Sequence, residues 1–185
     1  MAVKRELTYI VALIVIIAIL ISVVNFFKKD VEEADAKKFI QEDLANKYPD
    51  GDISIIDVKE NFNSAGSKYF QVKAKVTRDY YSICPQRIHF YYNYPEQNFV
   101  PQPAEYITNN CQVCLTGNCV IAFPEEAIIA SRTLNGSAGA SSFINSTNAI
   151  PMSVNLLNNS WQVVWKSIRS NATYTVYVTT DGKIK

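Results

Sequence analysis

Four cysteines carry the most chemically pointed spacing in this chain of 185 residues. Cys111, Cys114 and Cys119 fall in a C-x2-C-x4-C pattern, with Cys84 well upstream. Three chemistries fit them. Outside the cytoplasm, where thiols are oxidised, they form two disulfides, and a bridge from Cys114 to Cys119 would close a tight turn around Gly117. Three connectivities are open for such a set. Four converging thiolates would instead hold zinc in a tetrahedron, with Cys84 as the fourth ligand. A redox-active Cys111-Gln112-Val113-Cys114 pair would need a lowered thiol pKa, usually at a helix N-terminus, and no helix is expected there. Structural disulfides are the reading adopted, with the pairing open.

The remaining reactive groups give no catalytic constellation. His89 is the single histidine, so any Ser-His-Asp or Cys-His arrangement has to use it. It lies opposite the apolar set of its strand, as a surface or hydrogen-bonded residue would. Glu32-Glu33 and Glu125-Glu126 sit at expected helix starts, where carboxylates complement the positive end of the dipole. Asp50-Gly51-Asp52 reads as a turn, because the rest of a calcium loop is missing. Neither a phosphate-cradling glycine motif nor a metalloprotease motif occurs. The expectation is therefore no catalytic residue, no metal and no cofactor.

The elements that position these groups begin with Leu7 to Phe27, an uncharged apolar run long enough as a helix to cross a bilayer core. It predicts a transmembrane helix within a 1–29 anchor and makes the lipid bilayer the partner of residues 7–27. Lys4 and Arg5 precede the run and Lys28 and Lys29 follow it, so basic residues alone do not orient it. The cysteines and four Asn-x-Ser/Thr acceptors, beginning at Asn135, Asn145, Asn158 and Asn171, favour an outside location for the body and glycosylation at those asparagines. A single-pass arrangement, N-terminus in the cytoplasm and C-terminal body outside, follows.

Setting the first 27 residues aside leaves 158, enough for one ordinary domain or two small ones. The 18 Lys and Arg against 17 Asp and Glu become 16 against 16 once Lys4, Arg5 and Glu6 are removed, so no basic footprint for nucleic acid exists. Many Tyr, Phe and β-branched residues suit pleated surfaces. An α+β body rich in strand is predicted.

Along the body, Asp30 with Glu33 approximates a capping box, and Val31 to Tyr48 reads as an amphipathic helix presenting Ala36, Phe39, Ile40, Leu44 and Tyr48. Pro49 and Asp50-Gly51 end it. Ile53 to Phe62, Lys68 to Arg78 and Arg87 to Tyr94 read as antiparallel strands, with the cleanest alternation at Phe70, Val72, Ala74 and Val76. Pro95, Pro101 and Pro103 mark an extended connection. Val120 to Phe123 reads as a short strand, and Pro124 opens a helix through Leu134. Asn135 to Pro151 reads as a loop, followed by strands at Met152 to Leu157, Ser160 to Ile168 and Thr173 to Thr180, closed by a turn at Asp181-Gly182. The divisions are 1–29, 30–95, a Pro- and Cys-rich connection at 96–123, and 124–185. Trp161, Val163 and Trp165 alternate onto one face, as core or as an aromatic surface for a partner or glycan.

The C-terminal order PEEAIIASRTL, SWQVVWKSI and ATYTVYVTTDGKIK is similar to PepSY-type domains. Its carriers are Glu125, Glu126 and Ala127, then Trp161 and Val163, then Tyr174, Val176, Tyr177, Val178, Asp181, Gly182 and Lys183. The resemblance implies a cystatin-like helix on an antiparallel sheet over 124–185, with 31–94 as a degenerate second unit of the same plan. It also implies binding or inhibition rather than catalysis. The expected function is a membrane-anchored, extracytoplasmic binding or regulatory protein of the cell envelope, not an enzyme, whose partner is a protein or an envelope polymer. The alternative is a type IV pilin-like filament subunit, which a helix unbroken from Glu6 to Tyr48 would favour. A zinc or redox protein ranks behind both.

Overall fold

The computed structural model describes residues 14–20, 31–96, 102–108, 110–115 and 119–185. Residues up to Glu32 form one unit and Glu33–Lys185 a second, compact one.

In the first unit, residues 14–20 form a helix, α1, whose Ile, Val and Leu side chains are about half exposed. The predicted transmembrane helix from Leu7 to Phe27 is corrected here. Among the described residues no helix is long and apolar enough to cross a membrane. The rest of the predicted span, with Lys28, Lys29 and the predicted cap Asp30, lies outside the described residues.

The second unit is α+β, with two antiparallel sheets. Helix α2 (Glu33–Lys47) starts two residues later than predicted, Val31 and Glu32 being non-helical. It buries Ala36, Ile40 and Leu44, spaced by four so that they share one face. That face covers the first sheet, formed by β1 (Asp52–Phe62), β2 (Lys68–Arg78), β3 (Gln86–Tyr94) and the two-residue β4 (Glu105–Tyr106), in that order. Alternation along β2 sends Phe70, Val72, Ala74 and Val76 to the helix side, where they are buried. Phe39 against Tyr94 and Tyr48 against Phe90, at 5.1 and 5.3 Å, extend this core sideways. The Tyr92 hydroxyl donates to Asp43 at 2.7 Å. Burial, then that hydrogen bond, raise the Tyr92 pKa.

Helices α3 (Pro124–Thr133) and α4 (Ala138–Thr147) cover the second sheet, a meander of β5 (Ile150–Leu157), β6 (Ser160–Lys166) and β7 (Thr173–Thr179). Its core holds Trp161, Val163, Trp165, Val176 and Val178 against Ala127, Ile128 and Ala130. Helix α4 corrects the loop predicted from Asn135 to Pro151. Ala140 and Ile144, four apart, turn into the core, and Asn148 ends the helix in the left-handed conformation at φ 51°. Small polar residues hid that spacing. Val120 to Phe123 is not a strand: the Ile121 amide donates to the Thr180 carbonyl at 2.8 Å and its carbonyl accepts from Trp161 Nε1 at 2.9 Å, without a ladder.

Candidate functional site

The polar face of the first sheet, opposite α2, gathers most of the buried charge. Period-two alternation puts Gln71, Lys73, Lys75 and Thr77 on that face of β2, and antiparallel register sets Asn93, Tyr91, His89 and Arg87 beside them on β3. One end of this face is closed by the start of α3. There Phe123 precedes Pro124, whose fixed φ suits the first helical position and whose missing N–H costs nothing.

Glu126 ties that helix start together. Its Oε2 accepts from the amides of Ala122 and Phe123 at 2.8 and 3.1 Å, and its Oε1 accepts from Arg87 Nη2 at 2.6 Å. Glu125 is fully buried and points the other way along the sheet. Its Oε1 accepts from Lys75 Nζ at 2.8 Å and from the Thr77 hydroxyl. The Phe123 ring lies among the cations, 4.2 Å from the Arg87 guanidinium carbon and 5.7 Å from Lys75 Nζ. The positive groups meet the negative face of the ring, a contact that gains strength where water is excluded.

Burial pushes the Glu125 carboxyl up, but the Lys75 ammonium and the Thr77 hydroxyl outweigh it and hold its pKa below the ordinary value. His89 is 5 % exposed, with its ring 6.2 Å from that of Phe123. Burial lowers its pKa, the charges of Lys73 and Arg87 add to that, and Glu105 offsets only part. Glu105 Oε2 lies 3.6 Å from His89 Nδ1 and accepts from the Tyr91 hydroxyl at 2.7 Å, which chiefly holds its own pKa down.

His89, expected as a surface or hydrogen-bonded residue, is buried with neither ring nitrogen hydrogen-bonded, and Phe123, at the start of α3, lies beside it on the face that alternation marks as polar. Five buried atoms of this seam make no hydrogen bond among the described residues: Nε and Nη1 of Arg87, both ring nitrogens of His89, and Oε2 of Glu125. Among the described residues no hydroxyl or thiol is hydrogen-bonded to His89. What the seam does chemically is fasten the second half of the compact unit to the first through two ion pairs.

All four cysteines are paired, Cys84 with Cys111 and Cys114 with Cys119, at Cα separations of 5.3 and 4.7 Å. The first bridge joins the β2–β3 connection to the stretch ahead of α3, and Arg132 Nη1 donates to the adjacent Ile83 carbonyl at 3.2 Å. The second packs against the core under the second sheet. No thiolate is left for zinc, and Cys111 and Cys114 belong to different bridges. Among the described residues no group of three or more His, Cys, Asp or Glu converges as a metal site. The predicted turn centre, Gly117, lies outside the described residues.

Asn135, Asn145, Asn158 and Asn171 are all exposed, as acceptors of a glycan must be. The tryptophans are core: Trp165 Nε1 donates to the Ser131 hydroxyl at 3.1 Å, and Trp161 is likewise hydrogen-bonded and buried. Of the aromatic residues on that sheet, Tyr174 and Tyr177 remain partly open, at 38 and 40 %. No protein family, curated protein or solved structure matches this chain.

Sequence reasoning identified Glu125 and Glu126 as dipole partners and missed their cations. The signal was the alternation of β2 and β3, which places Lys75, Thr77 and Arg87 on one face. Which acids would cover that face depended on the return of the chain through the long connection.

Proposed function

We propose that this chain is a non-catalytic binding or regulatory protein of the cell envelope, attached to a membrane and working outside the cytoplasm. The observation that carries the reading is the pairing of all four cysteines, since paired structural cysteines belong to oxidising compartments. The exposed Asn135, Asn145, Asn158 and Asn171 support the same location and serve as glycan acceptors. The use of the buried acids as fasteners supports binding over turnover. Glu125 and Glu126 are each held by a cation, an arrangement suited to rigidity rather than proton exchange.

Element order supports the similarity to PepSY-type, cystatin-like domains. α2 precedes the β1–β3 meander, and α3 with α4 precedes the β5–β7 meander, so the plan recurs. The partner is a protein or an envelope polymer, not nucleic acid. A filament subunit built on one unbroken helix is disfavoured, because Val31 and Glu32 interrupt helix ahead of α2.

The test is the full-length protein taken from its native membrane without reductant. Zero free thiols, no zinc, and glycan on one or more of the four asparagines are expected. Photo-reactive residues placed over the exposed surface should cross-link a partner from one contiguous patch. Free thiols with bound zinc, or no cross-link from any position, would overturn the proposal.

A further inference from the structure

The sheets leave outer edges at β1, β4, β5 and β7, and these handle their open backbone groups differently. An edge presents unpaired N–H and C=O groups that template another strand unless charge, proline, a bulge or a covering segment prevents it. β1 carries Asp57, Lys59 and Glu60, and its register breaks between Ile55 and Asp57. β4 has two residues. The C-terminal tail covers part of β7, where Val178 bridges Ile184 and the Lys185 amide donates to the Tyr177 carbonyl.

β5 has neither protection: like β7 it carries no charged residue, and unlike β7 no described tail segment covers its outer edge. Pro151 and the register shift between Pro151 and Ser153 blunt its first half only. Residues 153–157 keep an open edge among the described residues, and Leu156 and Leu157 are about half exposed. Near the start of the strand lies an open cleft of about 650 Å³, lined by Ile150, Lys166, Ile168, Arg169 and Asn171 among others, so a segment enters it only on chains whose Asn171 carries no glycan. Lys166 is the register partner of Ile150, so its charge sits beside the strand's first residue. The hydroxyl of buried Ser167 accepts from the amides of Arg169 and Ser170, both at 3.1 Å, and fixes the turn that carries Arg169. Lys166 and Arg169 are exposed, and neither forms an ion pair with a described residue.

We propose that β5 and this cleft bind an extended, apolar peptide segment of another protein. The segment pairs as a fourth strand along residues 153–157 and sets a carboxylate against Lys166 and Arg169. Strand addition supplies main-chain hydrogen bonds and leaves specificity to the ends and side-chain pockets. The uncharged strand selects an uncharged partner, and the two cations at one end select an acid there. From residue 153 back to residue 150 the peptide has to reach roughly 10 Å at about 3.3 Å per residue, so the acid stands two or three residues beyond the paired stretch. This inference rests on the chain being a binding protein and narrows that reading to one surface.

The test uses the full-length chain, in mild detergent, with fluorescein-labelled Thr-Val-Thr-Val-Ser-Leu-Glu-Asp. Companion peptides carry an amidated C-terminus, a Lys-Lys end, or a central proline. Anisotropy should show binding of the acid-ended peptide, with about a tenfold loss for the K166E/R169E variant, equivalent to about 1.4 kcal/mol. That variant should in turn prefer the Lys-Lys peptide, and amide exchange should slow at residues 153–157. Retained binding of the amidated form assigns the acid to side chains, and its loss assigns it to the C-terminal carboxylate. Equal affinity for acidic and basic ends, no slowing at 153–157, or a dimer of the chain alone that Val154→Lys abolishes would overturn the proposal. If no peptide binds while photo-cross-linkers elsewhere on the surface capture a partner in the native envelope, this groove fails and the binding reading stands. If those cross-linkers are silent too, both fail.

Discussion

Removing the Glu125 carboxylate should be among the most damaging single changes available in this protein. In Glu125→Ala the Lys75 ammonium, 8 % exposed, loses an acceptor at 2.8 Å and keeps, among the described residues, the exposed Asp52 carboxylate at 4.0 Å and the Phe123 ring at 5.7 Å. The Thr77 hydroxyl loses the same acceptor. Breaking a buried ion pair from one side costs about 3–5 kcal/mol, mostly the penalty of the charge left behind. For a folded unit of this size each kcal/mol moves the Tm by about 2–4 °C, so a drop of about 6–20 °C is expected. The assay is urea or thermal unfolding without reductant, followed by fluorescence of the buried Trp161 and Trp165. A Lys75→Met/Glu125→Gln double variant, measured with the Lys75→Met and Glu125→Gln single variants, isolates the pair. Replacing both charges at similar volume should recover most of the loss, because the desolvation cost disappears with the charges. A loss under about 1 kcal/mol for Glu125→Ala, or a coupling under about 0.5 kcal/mol in the cycle, would refute a buried clamp between the halves.

Three further outcomes follow from the same structure. His89 has a folded pKa below the ordinary value of about 6.5, so the unfolded chain binds more protons and stability falls as pH drops from there through the folded value; Glu125, also depressed, adds its loss below the ordinary carboxylate range. His89→Gln should flatten the urea midpoint against pH in the upper window, and an unchanged slope would exclude the histidine as its source. Peptide mapping without reductant should recover Cys84–Cys111 and Cys114–Cys119; removing the first, whose ends are 27 positions apart in sequence, should cost about 3.5 kcal/mol and removing the second about 2 in chain entropy, and any other connectivity would contradict the fold. A Cβ at Gly51 would sit 2.8 Å from Val76 Cγ1 and 3.2 Å from Tyr48 Cβ, so Gly51→Ala should lower stability by about 1–3 kcal/mol in the same unfolding assay, and a neutral result would mean that the turn and α2 part easily.

Local pattern determined a good deal of this protein. The period of two in β2 fixed which residues face α2, and the spacing of Ala36, Ile40 and Leu44 fixed the face of α2 that meets them. Asp-Gly at residues 50–51 and 181–182 marked where chain direction reverses, and Pro124 marked a helix start within one residue. These features depend on neighbours in sequence, where dihedral preference and alternation act directly. Helix α4 escaped because its Ser, Gly and Asn content favours loops, and only burial of Ala140 and Ile144 under the second sheet repays the weak propensity.

Only the tertiary structure decided the pairing of the cysteines, the burial of His89 and the partners of Glu125 and Glu126. Each depends on how the chain returns through the long connection to lay the start of α3 on the polar face of β2 and β3. The contacts that result join residues 39 to 50 positions apart, and no local periodicity encodes such separations. Charge alternation declared the face polar; it could not declare that face buried, because burial of a charge is settled by whether an opposite charge arrives from elsewhere in the fold.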